Sequence, residues 1–195
     1  MGLDLRRTLI VISIPASLFA VIAIITLIAP RLLYNTIRQA PTEPIAFDHS
    51  VHAGQVGIDC TFCHRDTNTG GAIGGMTAGL PDVQQCMFCH SGVAQSTLGA
   101  PGFGMDKSQA QAELDKVRMA WQQQQPIDWE RVHRMPDHVR FTHEPHIQAG
   151  FQCSTCHGEV ASMGQVVQVR PLNMGDCIAC HRQNGAQTEC ATCHK

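Results

Sequence analysis

Cys60-Thr-Phe-Cys63-His64, Cys86-Met-Phe-Cys89-His90, Cys153-Ser-Thr-Cys156-His157, Cys177-Ile-Ala-Cys180-His181 and Cys190-Ala-Thr-Cys193-His194 are five copies of one pentapeptide, CxxCH, in a chain of 195 residues. They use all ten cysteines. A disulfide framework has no need of a His after every second Cys, and a zinc site pairs CxxC knuckles without one. CxxCH is the attachment signature of c-type haem. Two thiols separated by two residues can each form a thioether with a vinyl group of one porphyrin, and the adjacent imidazole then lies under the iron. The sequence therefore predicts five covalently bound haem c groups. Cys60, Cys63, Cys86, Cys89, Cys153, Cys156, Cys177, Cys180, Cys190 and Cys193 are the attachment residues, and His64, His90, His157, His181 and His194 the proximal ligands.

Composition agrees with a cofactor-filled interior. Apolar residues make up 44% of the chain, yet there are only one Tyr and two Trp, too few large aromatics for an ordinary core. Charged residues are 15% and the formal net charge is -2, which excludes both a basic nucleic-acid footprint and the high net charge of disorder. The expected fold is a mainly α-helical and irregular multihaem cytochrome c with short helices, little sheet and one N-terminal transmembrane helix.

Residues 8–30 carry no charged side chain. The apolar run over residues 9–29 would rise roughly 31 Å as a helix, enough for a hydrocarbon core of about 30 Å. A cleaved signal peptide has a shorter apolar region of about 7 to 15 residues and a small-x-small site, and Ile28-Ala29-Pro30-Arg31 offers no clear one. An uncleaved anchor is expected in a bacterial cytoplasmic membrane. Arg6 and Arg7 keep the short tail inside, so the haem-bearing part lies on the periplasmic side. Gln39-Ala-Pro-Thr-Glu-Pro44 reads as a stiff linker, because its two prolines favour extended backbone.

Beyond it lies an internal repeat. Phe47-Asp-His49-Ser-Val-His52 leads to Cys60, and Phe141-Thr-His143-Glu-Pro-His146 leads to Cys153, the two copies differing by one residue in length. A second motif follows each, at Cys86 and Cys177, and the fifth stands alone at the C-terminus. The organisation is thus a tail and anchor over 1–38, the linker over 39–44, a first dihaem module over 45–104, a helical connector over 105–135, and a second dihaem module with the fifth haem over 136–195. Residues 106–125 form the best helix of the soluble part, with Asp106 as cap, Gln109 three residues on, Ala110, Leu114, Val117 and Trp121 on one face, and Pro126 as stop. Residues 66–79, with five Gly, read as a surface loop.

Six His remain outside the motifs: His49, His52, His133, His138, His143 and His146. Five low-spin haems need five further axial ligands, so supply exceeds demand by one. In His49/His52 and His143/His146 the i,i+3 spacing puts both imidazoles on one side of a helical turn, able to serve two neighbouring haems. These four are expected ligands. For the fifth, the sequence favours His133 over His138, and Met174 is the sulfur candidate beside its reading as a loop or core Met.

The segment Ile127-Asp-Trp129-Glu-Arg-Val-His133-Arg-Met-Pro-Asp-His138-Val-Arg-Phe141-Thr-His143, with the anchor, the first module and Leu172-Asn-Met174-Gly-Asp-Cys177, resembles the membrane-anchored pentahaem subunit of bacterial alternative complex III. The resemblance implies a quinol-oxidising assembly with an iron-sulfur subunit, polytopic quinone-binding subunits and monohaem cytochromes, in which this chain passes electrons to a soluble cytochrome c or blue copper acceptor. The FxHxxH modules are also similar to class III cytochromes, which implies His49 for the haem of Cys60/Cys63 and His143 for that of Cys153/Cys156. Three functions compete. An electron-transfer subunit, not catalytic by itself, fits a full set of axial ligands. Pentahaem nitrite reductases carry Lys for the proximal His of the catalytic haem, whereas all five motifs here end in His. A membrane-anchored quinol dehydrogenase would need a quinone site beside a single helix, which offers little surface to enclose one.

Overall fold

The structure, a computed structural model, describes residues 17–30, 32, 40–67 and 78–195. The chain divides into two compact units, Met1–Gln39 and Ala40–Lys195. In the first, residues 17–27 are α-helical and most of their side chains are exposed. Thr26 bonds back to the Ile22 carbonyl at 2.8 Å. Among the described residues no helix is long and apolar enough to cross a membrane. The predicted span over 9–29 lies partly outside them, since residues 9–16 are not described. Residues 68–77 of the predicted glycine loop also lie outside.

The second unit is short helices joined by irregular chain, as composition and the spacing of turn residues dictate. Among the described residues its only extended pairings are two isolated antiparallel bridges, Ala100 with Met105 and Val139 with His194. The longest helix is Lys107–Gln122. Asp106 caps it, accepting from the Ser108 and Gln109 amides at 2.8 and 2.9 Å, while the Gln109 side chain accepts from the Asp106 amide at 3.0 Å, a reciprocal capping box. Leu114 at its centre is buried, but Trp121 near its end is 44% exposed, so the predicted apolar face is used only in part. The helix packs on Val83–His90 and holds its end, Arg118 donating to the His90 carbonyl at 3.0 Å.

The five motifs all sit on short helical segments: Cys60–Cys63, Val83–His90, Cys153–His157, Met174–Gln183 and Cys190–Cys193. Three have a side-chain cap. Asp59 accepts from Thr61 N at 2.8 Å, Asp82 from Gln85 N at 2.8 Å and Asn173 from Asp176 N at 3.0 Å. The caps satisfy donors that have no partner within the helix, which helps segments this short to hold a turn.

The repeat is visible in three dimensions, and so is its length difference. The second copy turns as the α-helix Glu144–Gln148, whereas the first turns as the π-helix Ser50–Gln55, closed by Val56 N on the Val51 carbonyl at 2.9 Å. The wider i,i+5 turn takes up the extra residue between Phe47 and Cys60. The two copies of the repeat lie in one compact unit and their neighbourhoods pack on each other. The Ser50–Gln55 turn packs on Val160–Ser162, which follows the third motif, and the Ser50 amide donates to the Met163 carbonyl at 2.9 Å.

Asp48 organises this junction. It is 3% exposed, and its carboxylate accepts from Ser50 N at 2.9 Å, Ser50 Oγ at 2.6 Å and Gly102 N at 2.8 Å. Asp48→Ala strands Gly102 N and removes the acceptor of Ser50 Oγ, while Ser50 N keeps the Met163 carbonyl, at roughly 1–3 kcal/mol for each donor left unsatisfied. The expected result is a clearly lower urea midpoint with an unchanged slope, while Asp48→Asn, which keeps one acceptor oxygen, loses less. Equal midpoints for wild type and Asp48→Ala would show that the carboxylate does not hold the modules together.

Candidate haem attachment and axial sites

In each motif the first and second Cys stand i,i+3 on a helical turn, which places both thiols on one face with the His next in the chain. Thiols of different motifs lie near one another: Cys86 by Cys63, Cys60 by Cys153, Cys156 by Cys180, and Cys177 by Cys193. Burial first pushes the thiols of Cys60, Cys86 and Cys177 up, followed by Cys153 for Cys60, Cys63 for Cys86, and Asp176 ahead of Cys193 for Cys177. In space the motifs therefore run second, first, third, fourth, fifth, an order the chain itself does not follow.

The imidazoles fall into facing pairs. His52 and His90 have ring centroids 6.1 Å apart, His146 and His181 6.1 Å, and His143 and His157 6.3 Å with planes only 20° apart. His49 lies near His64, as do His143 and His157. Two imidazoles bound to opposite sides of one metal, with nitrogen–metal bonds of about 2 Å, have centroids about 6 Å apart. The residues present thus fit an iron held between each facing pair. Among the described residues there is no group of three or more His, Cys, Asp or Glu set to hold a bare metal ion.

The backbone orients these rings. Nδ1 of His52 faces the Asp48 carbonyl at 2.9 Å and Nδ1 of His146 the Thr142 carbonyl at 2.9 Å, equivalent positions of the repeat. His64 meets the Gly79 carbonyl at 2.8 Å, His90 that of Val93 at 3.3 Å, and His181 that of Gln187 at 2.5 Å. A carbonyl can only accept, so Nδ1 carries the proton and Nε2 keeps its lone pair, the tautomer an iron needs. The first His of each repeat behaves alike in the other sense: Nδ1 of His49 and of His143 is buried without a protein partner. Phe47 and Phe141 each set an edge against that His at 4.9 Å. Burial, with His64 and His52 nearby, lowers His49 to about 4, and burial lowers His52, His143 and His157 as well. At neutral pH these rings are uncharged, the form that ligates metal.

The two remaining His lie beside different motifs. His133 stands edge-on to His157 at 4.5 Å and 88°, a ring whose other neighbour is His143. His138 instead lies 5.5 Å from His194 with planes 13° apart. Sequence reasoning missed this proximity, because no local spacing links residues 138 and 194. Met174, the sulfur candidate, opens its helix and is 65% exposed.

The CxxCH turns and the imidazoles beside them suit haem c, and two comparisons relate the chain to multihaem cytochromes c. Residues 139–195 match the family described as cytochrome c7 and related cytochrome c. Over 192 residues, 85% of this chain and 81% of the relative, the chain is 26% identical to the multiheme cytochrome c subunit of the menaquinone reductase of Nitratidesulfovibrio vulgaris.

Proposed function

We propose that this chain is a five-haem electron relay in a quinone-linked membrane complex, anchored by residues 9–29 with its haem unit on the periplasmic side. The observation that carries the reading is the set of five CxxCH turns with imidazoles facing their motif histidines. Each haem c, when bound, takes up and releases one electron at its iron. The ten thiols would attach the cofactors, the imidazoles of His49/His64, His52/His90, His143/His157 and His146/His181 would hold the irons, and carbonyl contacts keep five of these rings in the ligating tautomer. Because every motif lies beside the next, the five attachment sites form an unbroken row from the second motif to the fifth.

Quinol oxidation releases two protons as well as two electrons and needs groups to accept them. Residues 9–29 have no ionisable side chain, so quinone chemistry belongs to partner subunits, as in the polytopic and iron-sulfur subunits of alternative complex III, with a soluble cytochrome c or blue copper protein at the other end. The resemblance over residues 127–143 implies electrons leaving quinol. The relative's name, a reductase, favours the opposite direction, from the carrier to menaquinone.

The test is purification in mild detergent, with and without co-purifying subunits, followed by rapid mixing with a menaquinol analogue or a reduced small cytochrome. The chain alone is expected to show no inhibitor-sensitive reduction by the quinol, while the complex exchanges electrons with both. Rapid inhibitor-sensitive reduction of the chain alone would replace the relay by a quinol dehydrogenase.

A further inference from the structure

The structure assigns His138, not His133, as the imidazole that closes the axial position opposite His194 at the C-terminal motif. This rests on the haem reading above and extends it to the one motif whose partner local sequence leaves open. The backbone makes the assignment. Residues 138–140 run antiparallel to residues 193–195: Val139 bridges His194, Arg140 N donates to the Cys193 carbonyl at 2.6 Å, and Lys195 N donates to the His138 carbonyl at 3.2 Å. This short ladder pins His138 beside the fifth motif, and the two rings stand 5.5 Å apart and 13° from parallel. That spacing is longer than ring-on-ring contact and close to the separation of about 6 Å for two imidazoles sharing one metal.

His133 cannot take the same role at its own neighbour. Its centroid is 4.5 Å from that of His157 and the rings are perpendicular, too close for a metal between them, and His157 already faces His143 at 6.3 Å. The surplus histidine is therefore a packing neighbour of a proximal ligand. His138 also lies one residue before the segment that matches the cytochrome c7 family, so that match does not include it.

The test uses the full haem-loaded chain. Intact mass and a pyridine haemochrome assay first count the haems; fewer than five in the wild type would fail the haem reading itself, before any variant is compared. With five present, His138→Ala is expected to give one high-spin haem, seen by electron paramagnetic resonance, and carbon monoxide binding at about one-fifth of the haem, because one imidazole ligand is removed. His133→Ala is expected to keep all five low-spin. Should the Ala variant fail to accumulate, His138→Met keeps a ligand: it is expected to show the sulfur-to-iron band of a His/Met haem and one raised potential. Five unchanged low-spin spectra in His138→Ala or His138→Met, or a high-spin haem created by His133→Ala, would overturn the assignment.

Discussion

His146→Ala in the haem-loaded chain is expected to leave five covalent haems but to turn one of them high-spin and open to carbon monoxide. The ring stands 6.1 Å from His181, and its Nδ1 is held by the Thr142 carbonyl at 2.9 Å, so Nε2 is committed to the position opposite the fourth motif's His. The other ring neighbour of His146 among the described residues is Phe141 at 4.9 Å, and nearby His143 faces His157 at 6.3 Å. The thioethers to Cys177 and Cys180 and the bond to His181 are untouched, which keeps the haem count at five. The measurement is electron paramagnetic resonance with a carbon monoxide titration, and saturation at about one-fifth of the haem is the expected reading. Retention of five low-spin centres would remove His146 from the ligand set and with it the equivalence to His52.

Gly164→Ala is expected to have the largest effect on stability. Gly102 and Gly164 cross backbone to backbone, and a Cβ on either would fall well inside contact distance of the other's main chain. No flexible side chain is there to yield. Overpacking of interiors usually costs about 1–3 kcal/mol, and a clash between two backbones belongs at or beyond the upper end. The crossing lies beside the Asp48 carboxylate, which binds Gly102 N at 2.8 Å, so separating the loops also breaks that junction. A large drop in the denaturation midpoint is expected. Gly175→Ala is the control: its added Cβ would meet only Asn173 Oδ1 at 3.4 Å, and in a helix Ala is favoured over Gly by about 1 kcal/mol. Equal behaviour of the two variants would show that the crossing does not hold the modules together.

The glycine crossing marks one boundary of what the sequence could tell. Pro101-Gly102 reads only as an ordinary turn signal and Gly164 sits in none, so the need for a missing Cβ at either arises only when residues 62 positions apart meet. The connector helix lies on the other side of that boundary. Asp106, Gln109 and the apolar residues at helical spacing specify Lys107–Gln122 through contacts no more than a few residues apart, although the exposure of Trp121 at its end depended on what packs there.

The same division runs through the haem sites. The attachment motif was legible because it is local: two thiols and an imidazole within five residues, on one turn of helix, repeated five times with no Cys left over. The i,i+3 histidine pairs and the repeat were legible for the same reason, as was the low sheet content. The spatial row of motifs, the π-turn that absorbs the extra residue of the first repeat, and the placement of His138 beside His194 with His133 beside His157 were decided by tertiary structure alone. An axial pair is closed through space, between segments as distant as 138 and 194, and the short antiparallel contact that brings those two together has no signature in the spacing of residues along the chain.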